Sequence, residues 1–143
     1  MSARVRDERG SAAIEAAIGL PAFVLFVGMI IVGGRLAVAH QAVQSAAADA
    51  ARAASISRDA GVADFAARRE AETSLSNQQI RCRNTRVSVS TGAFRVPVGQ
   101  PAEVTVTVSC RLDLSDLSVP GVPGSRVVRA TMSSPLDTWR ERS

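Results

Sequence analysis

Three features of the sequence predict an α+β protein built on one long N-terminal helix. From Ala16 to Gly34 there are 19 consecutive uncharged residues. The next twenty or so, to Ser55, lack Gly and Pro beyond Gly34 and are dominated by alanine, the best helix former. In the second half, short segments alternate apolar and polar residues with the period of two that marks a half-buried strand.

Residues 1–10 are polar and carry Arg4, Arg6 and Arg9, and the block 11–34 that follows holds one charge, Glu15. As a helix this block would span ~36 Å at 1.5 Å per residue. The hydrocarbon core of a bilayer is about 30 Å thick, so the block is long enough to cross it. Three Arg precede it closely, whereas Arg35 and Arg52 are the only basic residues in the stretch after it. The positive-inside rule then places residues 1–10 in the cytoplasm and the rest outside.

Beyond Arg35 the helix should continue as an amphipathic stem to Ser55. Leu36, Val43, Ala47, Ala50 and Ala54 share one side of it. Such a small-residue face suits close packing against another helix; the alternative is alanine as filler in a solvated helix. A break is expected around Ser57 to Gly61, then a second helix over Val62 to Leu75. Arg86 to Thr91 reads as a first strand, Gly92 to Pro101 as a turn and Ala102 to Leu114 as a second strand. Leu117 to Gly124 is a Pro/Gly loop, and Ser125 to Met132 a third strand. The expected division is therefore residues 1–10, a membrane helix 11–34, a helical stem 35–75 and a small β-rich part 76–143, with a three-stranded antiparallel sheet.

Composition excludes several functions. Aromatic residues make up 3% of the chain, with no Tyr, and no run of five or more like charges accompanies the net charge of +4. A stacking or phosphate-tracking surface for nucleic acid is not expected. One histidine, His40, and two cysteines supply neither a zinc site nor a catalytic triad, so no cofactor, metal or enzymatic activity is expected. Cys82 and Cys110 both fall in the segment placed outside, where oxidation is permitted. A bridge between them would constrain the unfolded chain by about 3.5 kcal/mol in the loop-entropy model. Two unpaired buried thiols are the alternative.

The most informative residues are Gly10-Ser11-Ala12-Ala13-Ile14-Glu15. An ionised acid at a bilayer centre costs about 2.5–3.5 kcal/mol, so an acid in a membrane helix usually has a partner. A basic segment ending in Gly, a small residue and Glu at the fifth place together resemble the class III signal of type IV pilins and pseudopilins. Further along come Pro21, the apolar run, Gly34-Arg35-Leu36, Gln41-Ala42-Val43-Gln44 and Ala50-Ala51-Arg52-Ala53-Ala54. This pattern is similar to that of the TadE-like family of the tight-adherence (Flp) pilus system, although Ala16 stands where tight-adherence pilins commonly carry an aromatic.

The resemblance implies a non-catalytic pseudopilin of the cell membrane. It implies cutting after Gly10 by prepilin peptidase, which would free an α-amino group at Ser11. It also implies pairing of Glu15 with the terminal amine of a neighbouring subunit. The partners it implies are membrane lipid, a Flp-type major pilin, other minor pseudopilins and the inner-membrane assembly platform. Pro21 removes one helical N–H and is expected to kink or loosen the helix. Two other readings remain open: a secreted protein cut after Ala39 at the A-x-A sequence Ala37-Val38-Ala39, and a single-pass anchored module that keeps its N-terminus.

Overall fold

The computed structural model describes residues 9–115 and 120–139; Arg4, Arg6 and the first three residues of the expected Leu117–Gly124 loop lie outside the described residues. The order of elements is helix α1 (Arg9–Ser55), helix α2 (Ala60–Asn77), strand β1 (Cys82–Ser90), a 3-10 turn (Thr91–Arg95), strand β2 (Glu103–Asp113) and strand β3 (Ser125–Pro135). The class is α+β, as the sequence predicts.

Helix α1 has 47 residues and runs without a break through Pro21 and on to Ser55, a length of ~70 Å. It ends where Ser55 and Ser57 turn their hydroxyls back onto the carbonyls of Arg52 and Ala53. Hydroxyls that compete for backbone groups in this way favour helix ends. Helix α2 starts two residues earlier than the sequence suggests. The Asp59 carboxylate caps it by accepting the N–H of Val62 at 2.8 Å, so Ala60 and Gly61 form its first turn. At its other end Gln79 adopts a left-handed φ of 57°. The Ile80 N–H then donates to the Leu75 carbonyl at 3.0 Å and the Gln79 N–H to that of Ser76 at 2.9 Å. This closure satisfies carbonyls the helix would otherwise leave open, and it directs Ile80 onto the core.

The two helices lie against each other through small side chains. Ala46, Ala47, Ala50, Ala51 and Ala54 of α1 and Ala63, Ala67 and Ala71 of α2 are all buried in one cluster. The four-residue spacing on α2 puts its three alanines and Leu75 on a single face. Of the face expected on α1, Val43, Ala47, Ala50 and Ala54 are fully buried, and Leu36 only half-buried. These alanines are packing residues, not filler.

The sheet is a three-stranded antiparallel meander in the order β1-β2-β3. Val104, Val106, Val108, Cys110 and Leu112 of β2 point toward the helices, with Val87 of β1 and Val128 and Ala130 of β3 beside them. The opposite face is polar. There the Thr107 and Thr131 hydroxyls are 2.9 Å apart and those of Thr105 and Ser133 are 3.1 Å apart. One continuous core joins α1 from Ala39 onward, α2 and the sheet.

Three expectations about the sheet and its connections need correction. Strand β1 begins at Cys82, not Arg86, because a bulge between Cys82 and Asn84 breaks the alternation that would have revealed it. The expected turn at 92–101 opens with the 3-10 turn, whose Phe94 is buried in the core. Strand β3 also runs on to Pro135, where the Ser134 hydroxyl donates to that of Ser55 at 3.0 Å.

Candidate functional site

The functional feature of this fold is the part of α1 that the fold does not cover. From Ala13 to Val38 no side chain is buried, although the segment is the most apolar in the chain. Ile18, Leu20 and Met29 remain about two-thirds exposed, and Phe23 and Phe26 are nearly as bare. Burial begins at Ala39. A bare apolar cylinder of this size does not persist in water. Residues 13–34 cover ~33 Å along the axis, which matches the hydrocarbon thickness of a bilayer. Among the described residues, this is the one helix long and apolar enough to cross a membrane.

Glu15 stands on the exposed surface of this segment, two residues into it. Ser11 lies four residues earlier in the same helix, hence on the same face. The Gly10–Ser11 bond lies within the described part of this helix. Pro21 sits inside the continuous helix. His40 is exposed two residues beyond the bare segment, near Gln44.

At the far end of the bare segment the fold forms an open groove of about 700 Å³. Ile31, Gly34, Arg35 and Val38 of α1 line it, facing Ile80, Arg81 and the end of β2 at Leu112 to Ser115. Asp113 accepts hydrogen bonds from the Ser115 hydroxyl at 2.6 Å, the Ser115 N–H at 3.1 Å and Arg83 at 2.7 Å. The two Ser115 bonds and then Arg83 lower the Asp113 carboxyl to about 2. Arg35 and Arg81 are far apart in the sequence, and no linear motif announces that both line this groove.

Cys82 and Cys110 form a disulfide, with Cα atoms 5.3 Å apart. It ties β1 to its neighbour β2. The bridge, the Arg83–Asp113 pair and the closure at Gln79 all lie at the end of the fold nearest the bare helix.

Taken together, an uncovered apolar helix continuing into the core of a small α+β fold defines a single-pass, membrane-anchored protein with a helical stem. Residues 10–52 match the model of the TadE family, described as TadE-like protein, and over that segment the chain is similar to that family. The match covers the bare segment and nearly all of the alanine stem, but neither α2 nor the sheet. TadE-like proteins are structural components of pilus assembly systems. No curated protein and no solved structure matches the chain.

Proposed function

We propose that this protein is a non-catalytic pseudopilin subunit for assembly of a tight-adherence pilus or a related secretion apparatus. One observation carries the proposal. The segment that matches the TadE-like family is the same helix that the fold leaves bare over 13–38, with a single carboxylate, Glu15, near its start. In this reading prepilin peptidase cuts after Gly10 and exposes the amine of Ser11. Glu15 then pairs with the terminal amine of a neighbouring subunit, an arrangement that relieves the cost of a charge at the membrane edge. The N-terminus faces the cytoplasm and the disulfide-bonded fold the opposite, oxidising side. The partners are the peptidase, the Flp-type major pilin, other minor pseudopilins and the membrane assembly platform. A cut after Ala39 is disfavoured because Ala37 to His40 lie in the middle of a continuous helix.

The test is coexpression with a cognate prepilin peptidase. Wild-type protein should be shortened, and Gly10→Val should stay full length while still inserting, because its apolar block is intact. In cells that carry the assembly system, Glu15→Ala should remain stable in the membrane yet enter the assembly poorly. Efficient cutting of the Gly10 variant at the same bond would refute the signal, and normal incorporation of the Glu15 variant would refute amine pairing.

A further inference from the structure

The end of the fold nearest the bare helix is both basic and level with the membrane surface. The groove lined by Ile31 and Gly34 reaches down into the apolar segment, while its upper lining reaches Val38 and Ala39. With residues 13–34 in the hydrocarbon, Ile31 and Gly34 lie at its outer edge, and Arg35 to Ala39 rise roughly 6 Å through the headgroup layer, which is about 5–8 Å thick on one side of a bilayer. Arg35 and Arg81 line the groove, Arg83 is bonded to the lining residue Asp113, and Arg126 stands opposite the lining residue Leu112 in the β2–β3 pairing. Asp113 is the one acid among the described lining residues, and Arg83 is paired with it. Arg81 and Arg126 are exposed, and no acid among the described residues pairs with either. Ile80, Leu112 and Leu114 supply an apolar floor behind these cations.

We propose that this basic end is a docking surface for anionic phospholipid headgroups of the membrane that holds α1. The guanidinium groups meet lipid phosphates, and the apolar floor meets the upper acyl carbons. Two observations select lipid as the occupant: the groove is continuous with the membrane-spanning surface, and its charge is opposite to that of an anionic leaflet. The inference rests on residues 13–34 being embedded, but holds for either orientation of the chain. Docking fixes the tilt and height of the fold, and a subunit leaving the membrane must first release these contacts.

The test uses the full chain with a fluorophore on Asn77→Cys, an exposed position at the end of α2 just before the groove residue Gln79. The protein is reconstituted into vesicles of phosphatidylcholine alone or mixed with phosphatidylglycerol, each doped with a headgroup-labelled quencher lipid. Quenching should be strong with phosphatidylglycerol, weak without it and reduced by high salt. In Arg81→Gln/Arg126→Gln it should fall to the phosphatidylcholine level. Two basic residues at an anionic surface are worth roughly a 30-fold change in the docked ratio. Arg58→Gln/Arg95→Gln, at the opposite end of the fold, should leave quenching unchanged. Equal quenching in both lipids, or a double variant that behaves as wild type, would overturn docking while the chain still resists alkaline extraction. A chain that alkali extracts would overturn the embedded helix and, with it, this inference.

Discussion

Helix α1 is one uninterrupted element with two different surfaces, and the contrast shows how its environment dictates composition. Over 13–38 it carries Ile, Leu, Phe and Met outward, and none of them is buried. Over 39–55 it turns Ala and Val inward, and those residues are buried to the last few percent. Lipid accepts large side chains at any angle, so size there costs nothing. A second helix at close range accepts only small ones, because interiors are packed to crystal density. Both stretches are apolar, yet only the alanine stretch is built to a shape.

The largest expected effect concerns what holds the folded half together. Its core contains one large ring, Phe94, and is otherwise made of Ala, Val, Leu and the Cys110 half of the disulfide. Cys82→Ser should destabilise it by about 3.5 kcal/mol, and thermal melting in detergent with and without reductant would measure this. The loss should leave the embedding of residues 13–34 untouched, which alkaline extraction reads separately. If that substitution released the protein from the membrane, the two halves of α1 would not be independent.

A smaller effect tests the shape argument directly. Ala50→Leu inserts three carbons where α1 meets its neighbours with no free surface. Overpacking of this kind costs about 1–3 kcal/mol. Ala17→Leu makes the same change on the bare segment and should be neutral in both insertion and melting. Equal costs at the two positions would abolish the distinction between a lipid-facing and a protein-facing surface.

Much of this contrast was legible in the sequence. The uncharged run from Ala16 to Gly34 and the helix end at Ser55 follow from composition alone, as does the alternation of β2. The start of β1 is hidden because Arg83, Asn84 and Thr85 are polar and the bulge between Cys82 and Asn84 disrupts the period. The alanine face of α2 was hidden for a different reason: a search for large apolar residues does not register Ala63, Ala67 and Ala71 as a core. Gly10, Glu15 and Pro21 are adjacent along one helix and so could be named from the sequence. Arg35, Arg81 and Arg126 are brought together only by the antiparallel return of the chain, and no local pattern encodes that.

The smallest effect lies at the junction of the two halves, in the Arg83–Asp113–Ser115 cluster. The folded state holds the Asp113 carboxyl at about 2, below the ordinary value of 3.8. Its contribution to stability is therefore present above pH ~4 and is lost as pH falls through about 2. Asp113→Asn should flatten this acid limb in a melting-temperature profile and leave stability near neutral pH little changed, because the cluster is solvent-exposed. An unchanged acid limb would show that the cluster does not couple to folding.

The central claim is that the bare half of α1 serves as a processed membrane anchor and the alanine half as a permanent stem. Sequencing the mature N-terminus of the protein from cells that express prepilin peptidase tests it most directly. The expected first residue is Ser11, which leaves Glu15 at the fifth position on a membrane-embedded helix. A mature protein that begins at His40 would have lost its bare half, and one that begins at Met1 or Ser2 would be an unprocessed anchor; either result contradicts the account.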